Sequence, residues 1–275
     1  MEERWTPSGV RLRRAAESPG RWNWLLVPGG PGLGSESLAG LVEACALPGT
    51  VWLVDLPGDG SNRGVPAVPP GPFLRWPQAL VEALDGLEHV VAVGHSTGGM
   101  FLLSVPELAE RLAGLALISS APHAGWRPRF ECWAAAHPLP GVDAAAERYA
   151  AAPDDRTLRE LTLEAAPWNF TPAGLTRGRA LLEGLPYCQE AVAWADAHFD
   201  ADYRASWLPS DLPALIVGGA EDHVVDQSLW QRTEGLTGRR ILRHSVAGAG
   251  HFPWIDNPGG VRDAFAALVD ALRRG

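Results

Sequence analysis

The sequence predicts an α/β architecture, in which a doubly wound, mostly parallel sheet has helices on both faces and a helical cap insertion above it. Three observations support this. Short apolar runs recur between amphipathic segments of the 275-residue chain, glycine-rich turns follow several of these runs, and the alternation stops between about Pro122 and Pro213. Near-continuous apolar strands that alternate with helices are typical of a parallel sheet covered on both faces.

The apolar runs predict six strands: Trp22–Val27, Val51–Val54, Val90–Val93, Leu115–Ile118, Ala214–Val217 and Ile241–Val246. Helices are predicted over Ser35–Leu47 and Phe73–Leu87, directly after Ser96, and after Pro258, with a proline-rich loop at Val65–Phe73. The last helix places Val261, Phe265, Leu268 and Leu272 at i, i+4, i+7 and i+11. That spacing gives one apolar face, which we expect to pack on the sheet.

The interruption predicts a cap over residues 123–208, with residues 1–122 and 209–275 forming the core. Helical patches occur within it at Asp143–Ala151, Arg156–Ala165 and Gln189–Phe199, and it carries most of the aromatic residues. Most of these aromatics are expected to form a small core of the insertion itself. We assign His123, Trp126 and Trp168 as candidate substrate-binding residues.

Composition excludes several classes of function. A formal net charge of −9 opposes binding to nucleic acid phosphates, although it leaves a cationic substrate open. All 23 basic residues are arginine, which excludes chemistry that needs a lysine amine. The apolar runs are too short to span a bilayer, and the first residues do not resemble a signal peptide. We therefore expect a cytoplasmic protein with a small-molecule substrate, no nucleic acid or membrane partner, and three reduced cysteines; the sequence does not indicate its oligomeric state.

The most specific chemical feature is the run Gly94-His95-Ser96-Thr97-Gly98, which follows the apolar strand Val90–Val93. A serine between two glycines on a strand-to-helix turn is what a nucleophile elbow requires, since the glycines avoid a clash in the tight turn. Such a short motif also arises by chance, so its meaning depends on an acid and a base elsewhere in the chain. We expect His95 to pack beneath the elbow rather than to react.

Candidate acid and base residues follow two later strands. Asp222, with Glu221 beside it, comes after Ala214–Val217, and His251 comes after Ile241–Val246. Functional residues collect at the carboxyl ends of strands in an open parallel sheet. A serine hydroxyl is a weak nucleophile near neutral pH, so it needs a histidine to take its proton and an acid to orient that histidine. His223, next to the acid, is predicted to be a loop residue.

Four motifs together resemble α/β-hydrolase-fold enzymes with a helical cap, and the resemblance covers essentially the whole chain. Pro28-Gly29-Gly30-Pro31-Gly32 is similar to the His-Gly-Gly-Pro-Gly oxyanion loop, and Asp55-Leu56-Pro57-Gly58-Asp59-Gly60 is similar to the Asp-x-x-Gly-x-Gly turn. The elbow and the Gly250-His251-Phe252 loop complete the set. The resemblance implies a triad of Ser96, Asp222 and His251, and it favours Asp222 over Glu221 because the acid of the family comes three residues after a glycine, here Gly219.

The same resemblance implies an oxyanion hole formed by the backbone N–H groups of Thr97 and Gly30. Pro31 has no N–H to donate. The family usually has histidine where this chain has Pro28, which raises the question of what supports this loop. No metal and no organic cofactor are expected.

Serine at the elbow argues against the haloalkane dehalogenases and epoxide hydrolases that resemble this fold but use aspartate. We favour hydrolysis of a carboxylic ester or thioester with a small to medium, largely apolar acyl group. One alternative is an aminopeptidase similar to proline iminopeptidases. The free amino terminus of its substrate would then meet acidic residues of the insertion, namely Glu131, Asp143, Glu147, Glu160 and Glu164. Against this alternative, the elbow of that family usually reads Gly-Gly-Ser-Trp-Gly, whereas this chain has Gly-His-Ser-Thr-Gly. Another is a ligand-binding member of the fold without catalysis.

Overall fold

The computed structural model describes residues 2–236, 238 and 240–274, and its centre is an eight-stranded sheet. The strands are β1 (Glu3–Trp5), β2 (Arg11–Glu17), β3 (Asn23–Val27), β4 (Thr50–Asp55), β5 (Val90–His95), β6 (Gly114–Ile118), β7 (Ala214–Gly219) and β8 (Ile241–Val246). They lie in the order β1-β2-β4-β3-β5-β6-β7-β8, and all neighbours from β4 to β8 are parallel. The predicted fold class is confirmed, and all six predicted strands are present.

The sequence did not predict the antiparallel edge that β1 and β2 form beside β4. In β2 only Leu12 is fully buried, and Arg11, Arg13 and Arg14 are partly exposed or paired with acidic side chains. Because antiparallel edge strands need to be apolar on one face only, such a segment lacks the continuous apolar run by which the central strands are recognised.

Helices of the core cover both faces of the sheet. They are α1 (Ala39–Cys45), α2 (Trp76–Glu82), α3 (Thr97–Leu103), α10 (Pro253–Asp256) and α11 (Pro258–Arg274). Alternate residues of each central strand point to opposite faces. Thus Trp24 and Leu26 of β3 join a cluster with Phe265 of α11, while Leu25 joins a second cluster with Trp76 of α2. The predicted apolar face of α11 is buried in the first of these clusters.

Two predicted helices are shorter than expected. A 3-10 turn over Ser35–Leu38 precedes α1, and another over Pro72–Arg75 precedes α2 and takes up the end of the predicted proline-rich loop. The first helix ends at Cys45 because Ala46 adopts a left-handed conformation with φ of 46°.

Six helices lie between β6 and β7: α4 (Trp126–Ala136), α5 (Pro140–Ala151), α6 (Asp155–Glu164), α7 (Ala166–Asn169), α8 (Leu175–Glu183) and α9 (Gln189–His198). We call this segment the insertion. Its two ends pair with each other, since the Ala124 N–H donates to the Tyr203 carbonyl over 2.7 Å and the Ala205 N–H to the Pro122 carbonyl over 2.9 Å. The sequence predicted α5, α6 and α9 but not α4, α7 or α8. In the described residues, no helix has the length and hydropathy that crossing a bilayer requires.

Candidate active site

Ser96 lies at the turn between β5 and α3, in a backbone conformation that few residues adopt. Its φ is 50° and its ψ is −124°, which is outside the regions that L-residues favour. The Ser96 N–H donates to the Ile118 carbonyl at the end of β6 over 2.8 Å, so the neighbouring strand holds the turn in place. Strained residues of this kind persist where the surrounding structure fixes them, and they cluster at functional sites.

The elbow glycines are needed because backbone segments meet there without room for side chains. A Cβ atom on Gly94 would lie 2.4 Å from the Gly99 Cα, and one on Gly98 would lie 2.3 Å from the Pro28 carbonyl oxygen. Real Cβ atoms essentially never lie so close to a backbone atom of another residue. The glycines therefore allow α3 to start directly against the ends of β3 and β5.

The structure brings the three predicted triad side chains together. Asp222 follows β7, His251 follows β8, and both reach the carboxyl edge of the sheet beside Ser96. The His251 Nε2 is 3.1 Å from the Ser96 hydroxyl oxygen, and the His251 Nδ1 is 3.1 Å from both carboxylate oxygens of Asp222. With the proton on Nδ1, the ring donates to Asp222 and accepts from Ser96, which is the arrangement that activates a serine.

Asp222 is fully oriented by its surroundings. Its side chain is buried, and its Oδ1 also accepts hydrogen bonds from the backbone N–H groups of Val224 and Val225. Glu221, the neighbouring acid, is exposed at the surface. The geometry therefore selects Asp222 as the partner of His251.

His95 packs under His251. Its ring is buried, lies 4.9 Å from the His251 ring, and contacts Phe252 and Trp254. Burial lowers the pKa of His95 well below its ordinary value, and the positive charge on a protonated His251 would lower it further. His95 Nε2 lies 3.0 Å from the His251 carbonyl oxygen, so a neutral His95 that carries its proton on Nε2 supports the His251 backbone.

The two predicted oxyanion donors lie on facing segments. The Thr97 hydroxyl donates to the Gly30 carbonyl over 3.0 Å, which joins the start of α3 to the loop after β3. Among the described residues, neither the Gly30 nor the Thr97 backbone N–H donates to a protein acceptor. A Cβ on Gly29 would lie 2.7 Å from the Ser96 Cβ, so this loop passes directly over Ser96.

The loop after β3, residues 28–32, is held by a carboxylate that the sequence did not single out. The Asp59 Oδ1 accepts the Gly32 N–H over 3.0 Å and the Gly60 N–H over 2.7 Å. Burial raises the pKa of the Asp59 carboxyl to about 7, against the opposing effect of these hydrogen bonds. From sequence, Asp59 was only one residue of a turn motif, and nothing pointed to its contact with Gly32.

The insertion contacts the loops that carry the predicted triad residues and the predicted oxyanion donors. The Asn169 carbonyl accepts the His251 N–H over 2.8 Å, and the Cys188 N–H donates to the Gly32 carbonyl over 2.9 Å. Trp133 stacks on His223, beside the acid, with ring centroids 4.4 Å apart. The insertion thus contacts the loops after β8, β3 and β7. These contacts were not predictable from local sequence patterns.

An open cleft of about 520 Å³ lies between α4 and α9. Its apolar lining consists of Trp126, Phe130, Tyr149, Val192 and Ala193, and its charged lining of Arg127, Glu131, Asp196 and Asp200. Trp126 packs against the cluster that contains Met100 of α3, and Val192 approaches Gly32. Two residues of the cleft lining thus also pack against elements beside Ser96, Trp126 against the Met100 cluster and Val192 against the loop after β3.

One end of the cleft is polar. Arg127 pairs with Glu131 and Asp196, whereas the buried Oδ1 of Asp200 and the buried indole N–H of Trp126 have no hydrogen-bond partner among the described residues. Burial raises the pKa of Asp200 to about 6. With three acids and one arginine, this end favours neutral or cationic groups over anions.

The other two candidate substrate-binding residues lie elsewhere. His123 accepts the Gly125 N–H and faces a separate cavity of about 370 Å³, whose lining also includes Arg204, Arg232 and Glu234. The Trp168 indole N–H donates to the His137 carbonyl, and its ring packs edge-on against Phe130. Of the three candidates, only Trp126 is among the described residues that line the cleft.

The described residues contain no group of three histidine, cysteine or carboxylate side chains arranged to hold a metal ion. Free thiols are present at Cys45, Cys132 and Cys188.

Comparison with known proteins decides the family. The model of the alpha/beta hydrolase family matches residues 24–264. The chain belongs to this family. It is 28% identical to a pimeloyl-[acyl-carrier protein] methyl ester esterase of Stenotrophomonas maltophilia (strain R551-3), over 93% of this chain and 96% of the relative.

Solved structures show the same fold. A proline iminopeptidase-related protein of Thermus thermophilus superposes with a TM-score of 0.73 at 21% identity, and the match covers 98% of each chain. A thermophilic esterase of Thermogutta terrifontis superposes with a TM-score of 0.65 at 20% identity, over 96% of this chain and 94% of the esterase. At such identities the likeness concerns the fold alone.

Proposed function

We propose that this protein is a serine hydrolase that cleaves a carboxylic ester or thioester through an acyl-enzyme. The observation that carries the proposal is His251 placed between Ser96 and Asp222, with hydrogen-bonding distances of 3.1 Å on both sides. The methyl ester esterase named among the relatives belongs to the same reaction class.

The proposed reaction begins as His251 Nε2 takes the Ser96 proton and Oγ attacks the ester carbonyl carbon. The negative oxygen of the tetrahedral intermediate accepts hydrogen bonds from the backbone N–H groups of Gly30 and Thr97. Each of these donors contributes about 3 to 4 kcal/mol to transition-state stabilisation. His251 then gives its proton to the leaving alkoxide or thiolate, and the acyl group stays on Ser96. A water molecule then attacks the acyl carbon while His251 takes its proton. His251 returns this proton to the Ser96 oxygen as the carboxylic acid leaves.

We propose that the insertion acts as a cap and that its cleft holds the acyl group. Ligand sites have volumes of about 300 to 1,000 Å³ and are mostly apolar, and the cleft of about 520 Å³ with its aromatic walls fits this description. The acidic end of the cleft is unfavourable for an acyl chain that ends in a carboxylate. The substrate class that fits best is a neutral, largely apolar acyl ester of small to medium size.

Hydrolysis of p-nitrophenyl acetate, butyrate and octanoate tests this proposal. Ser96→Ala is expected to lower kcat by about 10⁶, as loss of the nucleophile does in comparable triads. Ser104→Ala is the matched control, because Ser104 is also near α3 but its hydroxyl only donates to the Met100 carbonyl. Equal loss of activity in both variants, or none in Ser96→Ala, would contradict the proposal.

Aminopeptidase activity is the second candidate, favoured by the acids at the cleft. Of the acidic residues considered from sequence, Glu131 lines the cleft, together with Asp196 and Asp200. A free amino terminus would be attracted to this end. Faster cleavage of proline p-nitroanilide than of any p-nitrophenyl ester would establish this function instead, and the same triad would perform it.

A non-catalytic role in ligand binding is distinguished by a fluorophosphonate probe. An activated serine reacts with such a probe, whereas a serine in a purely binding protein does not. Failure of the folded protein to react at Ser96 would favour the binding role.

A further inference from the structure

We infer that Asp59 is a positioning residue of the catalytic machinery, which fixes the oxyanion loop (residues 28–32) so that the Gly30 N–H faces the reacting carbonyl. The inference rests on the proposed function, since it assigns a role within the same reaction. It answers the question raised by Pro28, namely what supports the loop in this chain.

The oxyanion loop has few internal means of holding its shape. Pro28 and Pro31 have no N–H group, and Gly30 and Gly32 adopt φ values of 116° and 98° that are accessible mainly to glycine. A flexible loop of this composition needs contacts from outside to present one particular N–H group. The positions at which other elements bind it therefore determine where the Gly30 amide points.

Both backbone groups of Gly32 are hydrogen-bonded, its N–H to one segment and its carbonyl to another. Its N–H donates to the Asp59 carboxylate, which belongs to the loop after β4, over 3.0 Å. Its carbonyl accepts the Cys188 N–H, at the start of α9, over 2.9 Å. The Cys188 thiol also donates to the Gly58 carbonyl over 3.3 Å, which joins the insertion to the Asp59 loop itself.

The placement of Asp59 indicates that its carboxylate is reserved for this contact. It is 2% exposed, and its hydrogen bonds within the described chain are with the N–H groups of Gly32 and Gly60. The nearby cations bind other acids: Arg11 pairs with Asp55, and Arg13 with both Asp55 and Glu36. Burying a carboxyl group without a cation is costly, and the hydrogen bonds from Gly32 and Gly60 offset part of that cost.

Backbone packing transmits the position of Asp59 to the loop. A Cβ on Gly60 would lie 2.5 Å from the Gly34 Cα, so the two segments are in direct backbone contact next to the Asp59–Gly32 hydrogen bond. At the other end, the Thr97 hydroxyl binds the Gly30 carbonyl. Residues 30 to 32 are thus held at both ends, and loss of Asp59 leaves the Gly32 end with its hydrogen bond to the Cys188 N–H alone.

The test compares three variants by steady-state ester hydrolysis and thermal unfolding. Asp59→Ala removes the acceptor, and we expect kcat to fall roughly 20- to 100-fold with KM changed less than about twofold, because a displaced oxyanion donor weakens binding of the transition state and not of the substrate. Asp59→Asn keeps an oxygen that can accept both N–H groups, so kcat should recover to within about fivefold of wild type.

Asn62→Ala is the matched control. Asn62 is completely buried in the same loop and donates to the carbonyls of Gly9, Asp55 and Leu56, but it does not contact Gly32. It should lower Tm while leaving kcat within about threefold of wild type, as expected when stability and not transition-state binding is lost. If Asp59→Ala fails to fold, Asp59→Ser replaces it, because a side chain one bond shorter leaves the Gly32 N–H without its acceptor.

Three results would overturn the inference: wild-type kcat in Asp59→Ala, a rise in KM with unchanged kcat, or an equal loss of kcat in Asn62→Ala. Failure of the proposed function is recognised separately, because the wild-type protein would then hydrolyse no ester. In that case, we compare the rate at which a fluorophosphonate labels Ser96 in wild type and in Asp59→Ala. The labelling reaction also develops negative charge on an oxygen in the proposed oxyanion hole. A slower rate in the variant supports the inference, and an equal rate refutes it.

Discussion

Gly98→Ala is expected to lower activity strongly by moving Ser96, although the variant adds only one methyl group. The new Cβ would lie 2.3 Å from the Pro28 carbonyl oxygen and 2.4 Å from that of Val27. Ordinary contact begins at 3.4 Å, so α3 and the end of β3 must separate by roughly 1 Å. Both contacts are with backbone atoms, which cannot turn away as a flexible side chain would.

A displacement of this size changes the position of Ser96 relative to the oxyanion loop. A misplacement of about 1 Å costs on the order of 10²-fold in rate, which corresponds to about 2.7 kcal/mol of transition-state stabilisation. We expect kcat/KM for p-nitrophenyl butyrate to fall by about this factor.

Gly64→Ala is the control for this prediction, since a Cβ on Gly64 would meet no atom within 4 Å. Its positive φ of 66° makes the substitution cost about 1 to 2 kcal/mol in stability, without an effect on kcat/KM. Thermal unfolding shows that the compared variants are folded. A folded Gly98→Ala variant with wild-type kcat/KM would refute the claim that close backbone packing fixes the position of Ser96.

Three further predictions concern charge and stability. Because the pKa of Asp59 is raised from 3.8 to about 7 by burial, the folded protein keeps a proton that the unfolded chain releases, and stability falls as pH rises through this window. Asp59→Asn does not titrate, so urea unfolding should show its stability relative to wild type rising by about 3 kcal/mol from pH 5 to pH 8; a constant difference would contradict this. Asp200→Asn removes an acid from the cleft and should lower kcat/KM for a cationic acyl ester about fivefold relative to a neutral one, and an unchanged ratio would exclude a role for this charge. Phe265→Ala, in the core against Trp24, should cost about 3 to 5 kcal/mol of unfolding free energy in urea, and a loss below about 1 kcal/mol would show that α11 is not a core element.

Most of the central sheet could be predicted because the five strands β3 to β7 are buried on both faces. All six residues of β5 are buried, and its first four, Val90–Val93, are apolar, a pattern that can be recognised in the sequence without knowing the neighbouring strands. The candidate triad was also accessible, since Ser96, Asp222 and His251 each follow such a strand and parallel strands end at one edge of the sheet. Local sequence thus contains most of the information that places these three residues.

The sequence was less informative wherever burial is partial or contacts join distant segments. Helix α4 has no fully buried residue, so its pattern lacks a clear apolar face. In α8, Gly178 weakens the helical signal but lies against the Phe170 ring, where a Cβ would be 2.4 Å from the nearest ring atom. The contact of Asp59 with Gly32, and the placement of Trp168 away from the cleft, depend on tertiary packing that no local pattern records.

Reaction with a fluorophosphonate probe, followed by mass spectrometry of the digested protein, tests the central claim most directly. The proposed role of Ser96 as nucleophile predicts one adduct on Ser96 in the folded wild-type protein, and labelling at least about 10³-fold slower in His251→Ala, since the histidine would activate the hydroxyl. An unlabelled Ser96, an adduct on another residue, or equal labelling rates in the two proteins would contradict it.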